Sequence, residues 1–137
     1  MPPERAQVAE TREWLQKADL DRRAAEFDLT AEPPLTADVV FHAQQLAEKS
    51  LKAFLVWKDE PFRYTHNLVE IGKQCVELDA SLETLVRRAA ELSEYVWKYR
   101  YPGEPAEPEL SEAQEALALA REVYLAILSR LPPEVKP

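Results

Sequence analysis

The sequence predicts an all-α fold, a small bundle of helices built as one domain over residues 1–137. Three observations carry this. Only two glycines occur in 137 residues, beside frequent Ala, Leu, Glu and Arg, the residues that lose least on entering a helix. No run of alternating β-branched residues demands a strand. Apolar residues recur at spacings of three and four along segments that proline-containing links separate. A chain of this length buries one hydrophobic core without staples.

Composition excludes several classes. A net charge of −8 opposes indiscriminate nucleic-acid binding, because phosphate contacts need a positive field, although a local basic patch stays open. Cys75 is the one cysteine, so no intrachain disulfide forms and no CxxC or Cys/His cluster offers a zinc site. No metal ligand set and no cofactor motif is legible, and no Gly-rich loop suits a phosphate. No signal-peptide core precedes the first helix, and no stretch approaches the ~20 apolar residues of a membrane span. A soluble protein of the reducing cytoplasm is the expectation.

The first helix is expected from Glu4 to about Phe27. Val8, Thr11, Leu15, Ala18 and Ala25 form its inner stripe, with Trp14 at the edge. Arg22 falls on that stripe, which predicts a structural ion pair. Leu20, Ala24 and Phe27 lie opposite, a second apolar face for a partner subunit or another helix. Pro33-Pro34 interrupts the chain, and Thr36 is the expected N-cap of a second helix ending at Trp57 or Lys58. Lys58-Asp59-Glu60-Pro61 closes that helix. Thr65 is the expected cap of a short helix to about Cys75, where Leu68, Ile71 and Cys75 share a face and make Cys75 a packed thiol.

Asp79 or Ser81 caps the next segment, expected as one helix to about Tyr99. Leu82, Leu85, Val86, Ala89, Leu92, Ser93 and Val96 form its inner stripe, and Arg100 continues it. Residues 101–110, YPGEPAEPEL, contain three prolines and make an acidic loop. Ser111-Glu112-Ala113-Gln114 matches a capping box. The final helix carries Ala113, Ala116, Leu117, Ala120, Val123, Tyr124, Ile127, Leu128 and Leu131, and Pro132-Pro133 stops it.

The second helix organises the chain. Val39, Val40, Ala43, Leu46, Ala47, Ser50, Leu51 and Phe54 make its buried side, while His42, Gln45, Lys49 and Lys52 line up over about three turns, roughly 15 Å. Two readings of that row stand: a solvated face, or donors set along an anion. Arg100 has two readings as well. It satisfies helix-end carbonyls or a buried acid, or it holds a phosphate through its planar fork of donors. For His66 the choice lies between backbone bonding at a helix start and a site role.

Four stretches together resemble the HEPN domain family of prokaryotes: Trp14-Leu15-Gln16-Lys17-Ala18-Asp19-Leu20, FHAQQLAEKSLKAFL, YTHNLVEI and YVWKYRYPGE. The resemblance implies an up-and-down four-helix bundle with one short additional helix, paired as a homodimer. It also implies association with a minimal nucleotidyltransferase, and many members are toxin-like ribonucleases of toxin-antitoxin pairs. Arg100 matches the family's functional arginine; His42, Lys49 and His66 match recurrent positions.

One departure is decisive for chemistry. Ribonuclease members carry a histidine four to six residues after the arginine, whereas Arg100 is followed by Tyr101, Pro102, Gly103, Glu104, Pro105, Ala106 and Glu107. Attack by a 2′-OH needs a proton acceptor, for which histidine is the usual group. The expected function is therefore nucleotide or partner binding beside a nucleotidyltransferase, with Arg100, His42, Gln45, Lys49 and Lys52 as ligand-binding candidates in a cationic recess. A metal-independent ribonuclease with a rearranged site, using Arg100 with His42 or His66, is the alternative; a structural dimeric scaffold is the third reading.

Overall fold

The computed structural model describes residues 5–62, 67–103 and 106–137. The regular structure of the described residues is all helical, with no strand among them. In order they form α1 (Arg5–Leu29), α2 (Thr36–Trp57), α3 (Leu68–Leu78), a 3-10 turn (Ala80–Leu82), α4 (Glu83–Ala89), a 3-10 segment (Ala90–Val96), α5 (Leu110–Leu128) and a last 3-10 turn (Pro133–Val135). None of these helices is long and apolar enough to cross a membrane.

Helix α2 is central because it is covered on several sides, by α1, α5, α3 and the 90–96 segment. Fourteen of its 22 residues are buried, and they include Gln44, Glu48, Ser50 and Lys52. An amphipathic helix with one wet face would not bury that set. The core gathers Leu15 and Ala18 of α1, Val39, Leu46, Leu51 and Phe54 of α2, Ile71 and Cys75 of α3, and Leu117, Val123 and Ile127 of α5. Cys75 is a packed thiol whose burial pushes its pKa up to about 12. Gly72 allows α3 to approach α4 closely: a Cβ there would lie 2.2 Å from Val86 Cγ1.

The segment expected as one helix from 79 to 99 differs. It is α-helical only over Glu83–Ala89 and tightens to 3-10 geometry on both sides. Tyr95 within the 90–96 segment and Tyr99 in the turn after it both donate through their hydroxyls to Glu112 Oε2 of α5 at 3.0 Å. Tyr99 then takes a φ of 66°, in the left-handed region that non-glycine residues adopt at a cost, and the chain leaves the helical axis.

Three caps are also corrected. Leu35, not Thr36, occupies the N-cap position of α2 and makes no side-chain cap bond; Thr36 is already helical and buried. Thr65 lies outside the described residues, and Asn67 caps α3 by accepting from the Val69 amide at 2.9 Å. The capping box at Ser111 does not form, because α5 begins at Leu110 with Glu109 at the cap, two residues earlier than that box requires. Asp79 does act as a cap, accepting from the Ser81 amide at 3.0 Å. Arg22 makes the ion pairs its position requires, 2.7 Å to Asp19 and 3.0 Å to Glu26.

Candidate functional site

The ends of α1 and α2 meet because the link between them is short and pinned. The Leu35 amide donates to the Asp28 carbonyl at 3.1 Å and Ala31 to the same oxygen at 3.3 Å. This sets the last two turns of α1 against the first turns of α2. Asp21 and Asp28 project from α1 seven residues apart, hence on one side of the helix; Asp38, Phe41, His42, Gln45 and Lys49 project from α2.

Asp21, 8% exposed, is the hub. Its Oδ1 lies 2.8 Å from His42 Nδ1 and its Oδ2 accepts from Lys49 Nζ at 2.6 Å. The other ring nitrogen of His42, Nε2, is 3.4 Å from Asp38 Oδ2. The hydrogen bond to Asp21 raises the pKa of His42, partly offset by burial. Asp28 is buried in the last turn of α1, where backbone carbonyls disfavour an anion. Burial first, and then a hydrogen bond with the Asp38 carboxyl and its charge, raise its pKa to about 6. Its Oδ2 has no hydrogen-bond partner among the described residues.

Arg100 does not continue the inner stripe of a helix. The left-handed turn at Tyr99 carries it to the surface, where its Cζ lies 3.8 Å from the centroid of the Phe41 ring. Phe41 in turn meets the His42 ring edge to face at 5.5 Å. Arg100 and Asp38 share the wall of a 380 Å³ cleft with Leu35, Ala37, Tyr99 and Glu107. Among the described residues no carboxylate forms an ion pair with Arg100.

The expected row of open donors on α2 is not what the fold builds. Lys52 is 5% exposed, paired with Glu48 at 3.0 Å, with Nζ 5.4 Å from the Trp14 ring centroid and 5.5 Å from that of Phe62. Gln45 donates to Gln44 Oε1 at 2.6 Å, and Lys49 is held by Asp21. The expected cationic recess is corrected too: the cleft beside Arg100 has Asp38 and Glu107 among its walls. The structure brings Arg100 near His42 through Phe41, whereas His66 lies outside the described residues.

Sequence reasoning missed Asp21, Asp28 and Asp38. A signal existed for the first two, since Trp14, Asp21 and Asp28 recur every seven residues along the edge of the α1 stripe. Asp38 carried none, because a carboxylate in a first helical turn is ordinary.

No curated protein and no solved structure matches the chain significantly. The HEPN domain family model matches residues 11–131, nearly the whole chain, and ties it to nucleotide- or RNA-related function. The match spans every helix described above except the first turns of α1. The chain belongs to the HEPN domain family.

Proposed function

We propose that this protein binds the phosphates of a nucleotide or a short RNA in the cytoplasm as a homodimer, beside a minimal nucleotidyltransferase that supplies the chemistry. In the same proposal α1, α2, the 80–96 segment and α5 run as an up-and-down bundle, with α3 as the short additional helix. The observation that carries the reading is Arg100, an exposed guanidinium with no carboxylate ion pair among the described residues, stacked on Phe41 at the wall of an open cleft. Stacking fixes the plane of the guanidinium, so its N–H donors are presented at small entropic cost. Lys49 and Lys52 take no part in this reading as free charges, since Asp21 and Glu48 hold them.

Non-catalytic binding is favoured by the absence of histidine between Arg100 and Glu107 and by the state of His42. Its position between Asp21 and Asp38 favours the imidazolium, which has no lone pair with which to accept a proton from a 2′-OH. The rearranged ribonuclease keeps one supporting observation, the Arg100–Phe41–His42 sequence of contacts. Pairing of two copies is supported by Leu20 and Phe27, 51% and 75% exposed beside Ala24 on one face of α1.

Calorimetry with ATP and with a short RNA, on the wild type and on Arg100→Ala, tests the binding reading. Binding that the substitution weakens supports it; no heat at millimolar ligand, or an unchanged affinity, overturns it. RNA cleavage abolished by both Arg100→Ala and His42→Ala would replace it with the ribonuclease reading. Light scattering that shows a monomer at micromolar concentration would remove the homodimer from it.

A further inference from the structure

Asp28, Asp38 and His42 each offer a donor atom, and the three atoms lie within 4.8 Å of one another. We propose that these three side chains bind a divalent transition-metal ion, of the kind that takes mixed nitrogen and oxygen ligands, such as zinc. The inference does not rest on the nucleotide reading, because it concerns the ion alone.

The imidazole is already oriented as a ligand. Asp21 holds His42 Nδ1 at 2.8 Å and is itself fixed by Lys49 at 2.6 Å, so an ion that displaces the Nε2 proton of the imidazolium into solvent meets a lone pair facing Asp38. A carboxylate on the far nitrogen is the usual outer partner of a metal-bound histidine; it sets the tautomer and strengthens the donor. The separation between Nε2 and Asp38 Oδ2, 3.4 Å, points the same way. It is longer than the ~2.7–2.9 Å of a charge-assisted hydrogen bond. It is close to the roughly 3.3 Å edge of a tetrahedron whose metal–ligand bonds are about 2.0–2.1 Å.

An independent observation concerns Asp28. The residue is only 9% exposed; its Oδ2 is buried without a hydrogen-bond partner among the described residues, and the hydrogen bond its carboxyl makes with that of Asp38 needs a proton on one of the two acids. Native proteins rarely leave such an oxygen unmet, and each case calls for an ion, a water or a proton. A divalent ion would meet it and cancel the charges of Asp28 and Asp38 together. Magnesium and calcium fit less well, since they favour six or more oxygen ligands over imidazole nitrogen. Asp38 is also a wall of the cleft beside Arg100, which gives the ion a route from solvent. Its side chain is 48% exposed, so Asp38→Asn should fold normally and is the variant on which the test turns.

The test titrates the full chain with zinc by calorimetry and with cobalt(II) by visible absorption. Wild type, Asp38→Asn, Asp28→Asn and Asp21→Asn are compared, with circular dichroism to confirm each fold. The expected result is one ion per chain, a zinc-dependent rise in melting temperature, and loss of at least about tenfold in affinity in each ligand variant. Asp21→Asn should bind more weakly while keeping the stoichiometry, as a positioning residue would. No binding by the wild type at millimolar zinc overturns the proposal and leaves a carboxyl pair sharing a proton. Binding unchanged by Asp38→Asn overturns it as well, by placing the ion elsewhere.

Discussion

The guanidinium carbon of Arg100 lies 3.8 Å from the centroid of the Phe41 ring, joining the end of the 80–99 segment to α2. A cation on an aromatic face at an exposed site is worth about 0.5–1 kcal/mol. Phe41 therefore serves Arg100 as a platform, and the two residues should differ in what their removal costs. Arg100→Ala is expected to cost about 1.5–3 kcal/mol of nucleotide binding, roughly tenfold to a hundredfold in affinity. Phe41→Leu should cost only about twofold to fivefold, the affinity equivalent of the stacking energy. Calorimetry at two salt concentrations measures both, and the wild-type affinity should fall as salt rises.

Lys52 should behave as a core residue. It is buried beside Glu48 with its Nζ near the Trp14 and Phe62 rings, so Lys52→Ala removes the paired ammonium from a buried carboxylate to which Gln44 still donates, and opens space beside two rings. Breaking a buried pair from one side costs about 3–5 kcal/mol. Urea denaturation reads this directly. A side chain on a solvated face would change stability by no more than about 0.5 kcal/mol, and such a result would contradict the packing described for α2.

Gly72 reports on the contact between α3 and α4. A Cβ at this position meets Val86 Cγ1 at 2.2 Å, so Gly72→Ala is expected to destabilise by about 1–3 kcal/mol through overpacking. Helix propensity works in the other direction by about 1 kcal/mol. Adding Val86→Ala should relieve the clash, so that the double variant is more stable than the sum of the two single effects implies. Additive losses would show that the helices can separate at this point.

Acid should weaken the corner where the 80–82 turn meets the end of α5. The Ser81 hydroxyl and the Arg130 guanidinium lower the pKa of Asp79 to about 2 from its ordinary 3.8. A carboxyl with a depressed folded-state pKa stabilises the fold above its unfolded-state value, and that contribution disappears as pH falls through the folded-state value. Asp79 thus contributes in full above pH 4 and loses its effect between about pH 4 and pH 2. Asp79→Ala should be less stable than the wild type at neutral pH, with the gap closing across that window in thermal melts.

Sequence alone determined the helical class, the breaks between helices and most of the core, because burial of an apolar stripe follows from spacing within one segment. Leu15, Leu46, Phe54, Leu117 and Ile127 are buried as their spacing requires, and Arg22 finds its carboxylates within one turn of its own helix. The family was legible too, because four separated stretches kept their order.

The site was decided by tertiary structure. Whether a polar row on α2 is wet depends on what covers it, and α1 brings Asp21 to His42 and Lys49, while Trp14 and Phe62 close over Lys52. Arg100 was misplaced by assuming one helix to residue 99. The change to 3-10 geometry after Ala89 and the left-handed Tyr99 alter the rotation per residue, and angles extrapolated along the chain fail there. Asp28, Asp38 and His42 converge only because a short pinned link folds the end of α1 onto the start of α2. Helical periodicity reports which residues share a face; which carboxylate meets which base is set by the packing of one helix against the next.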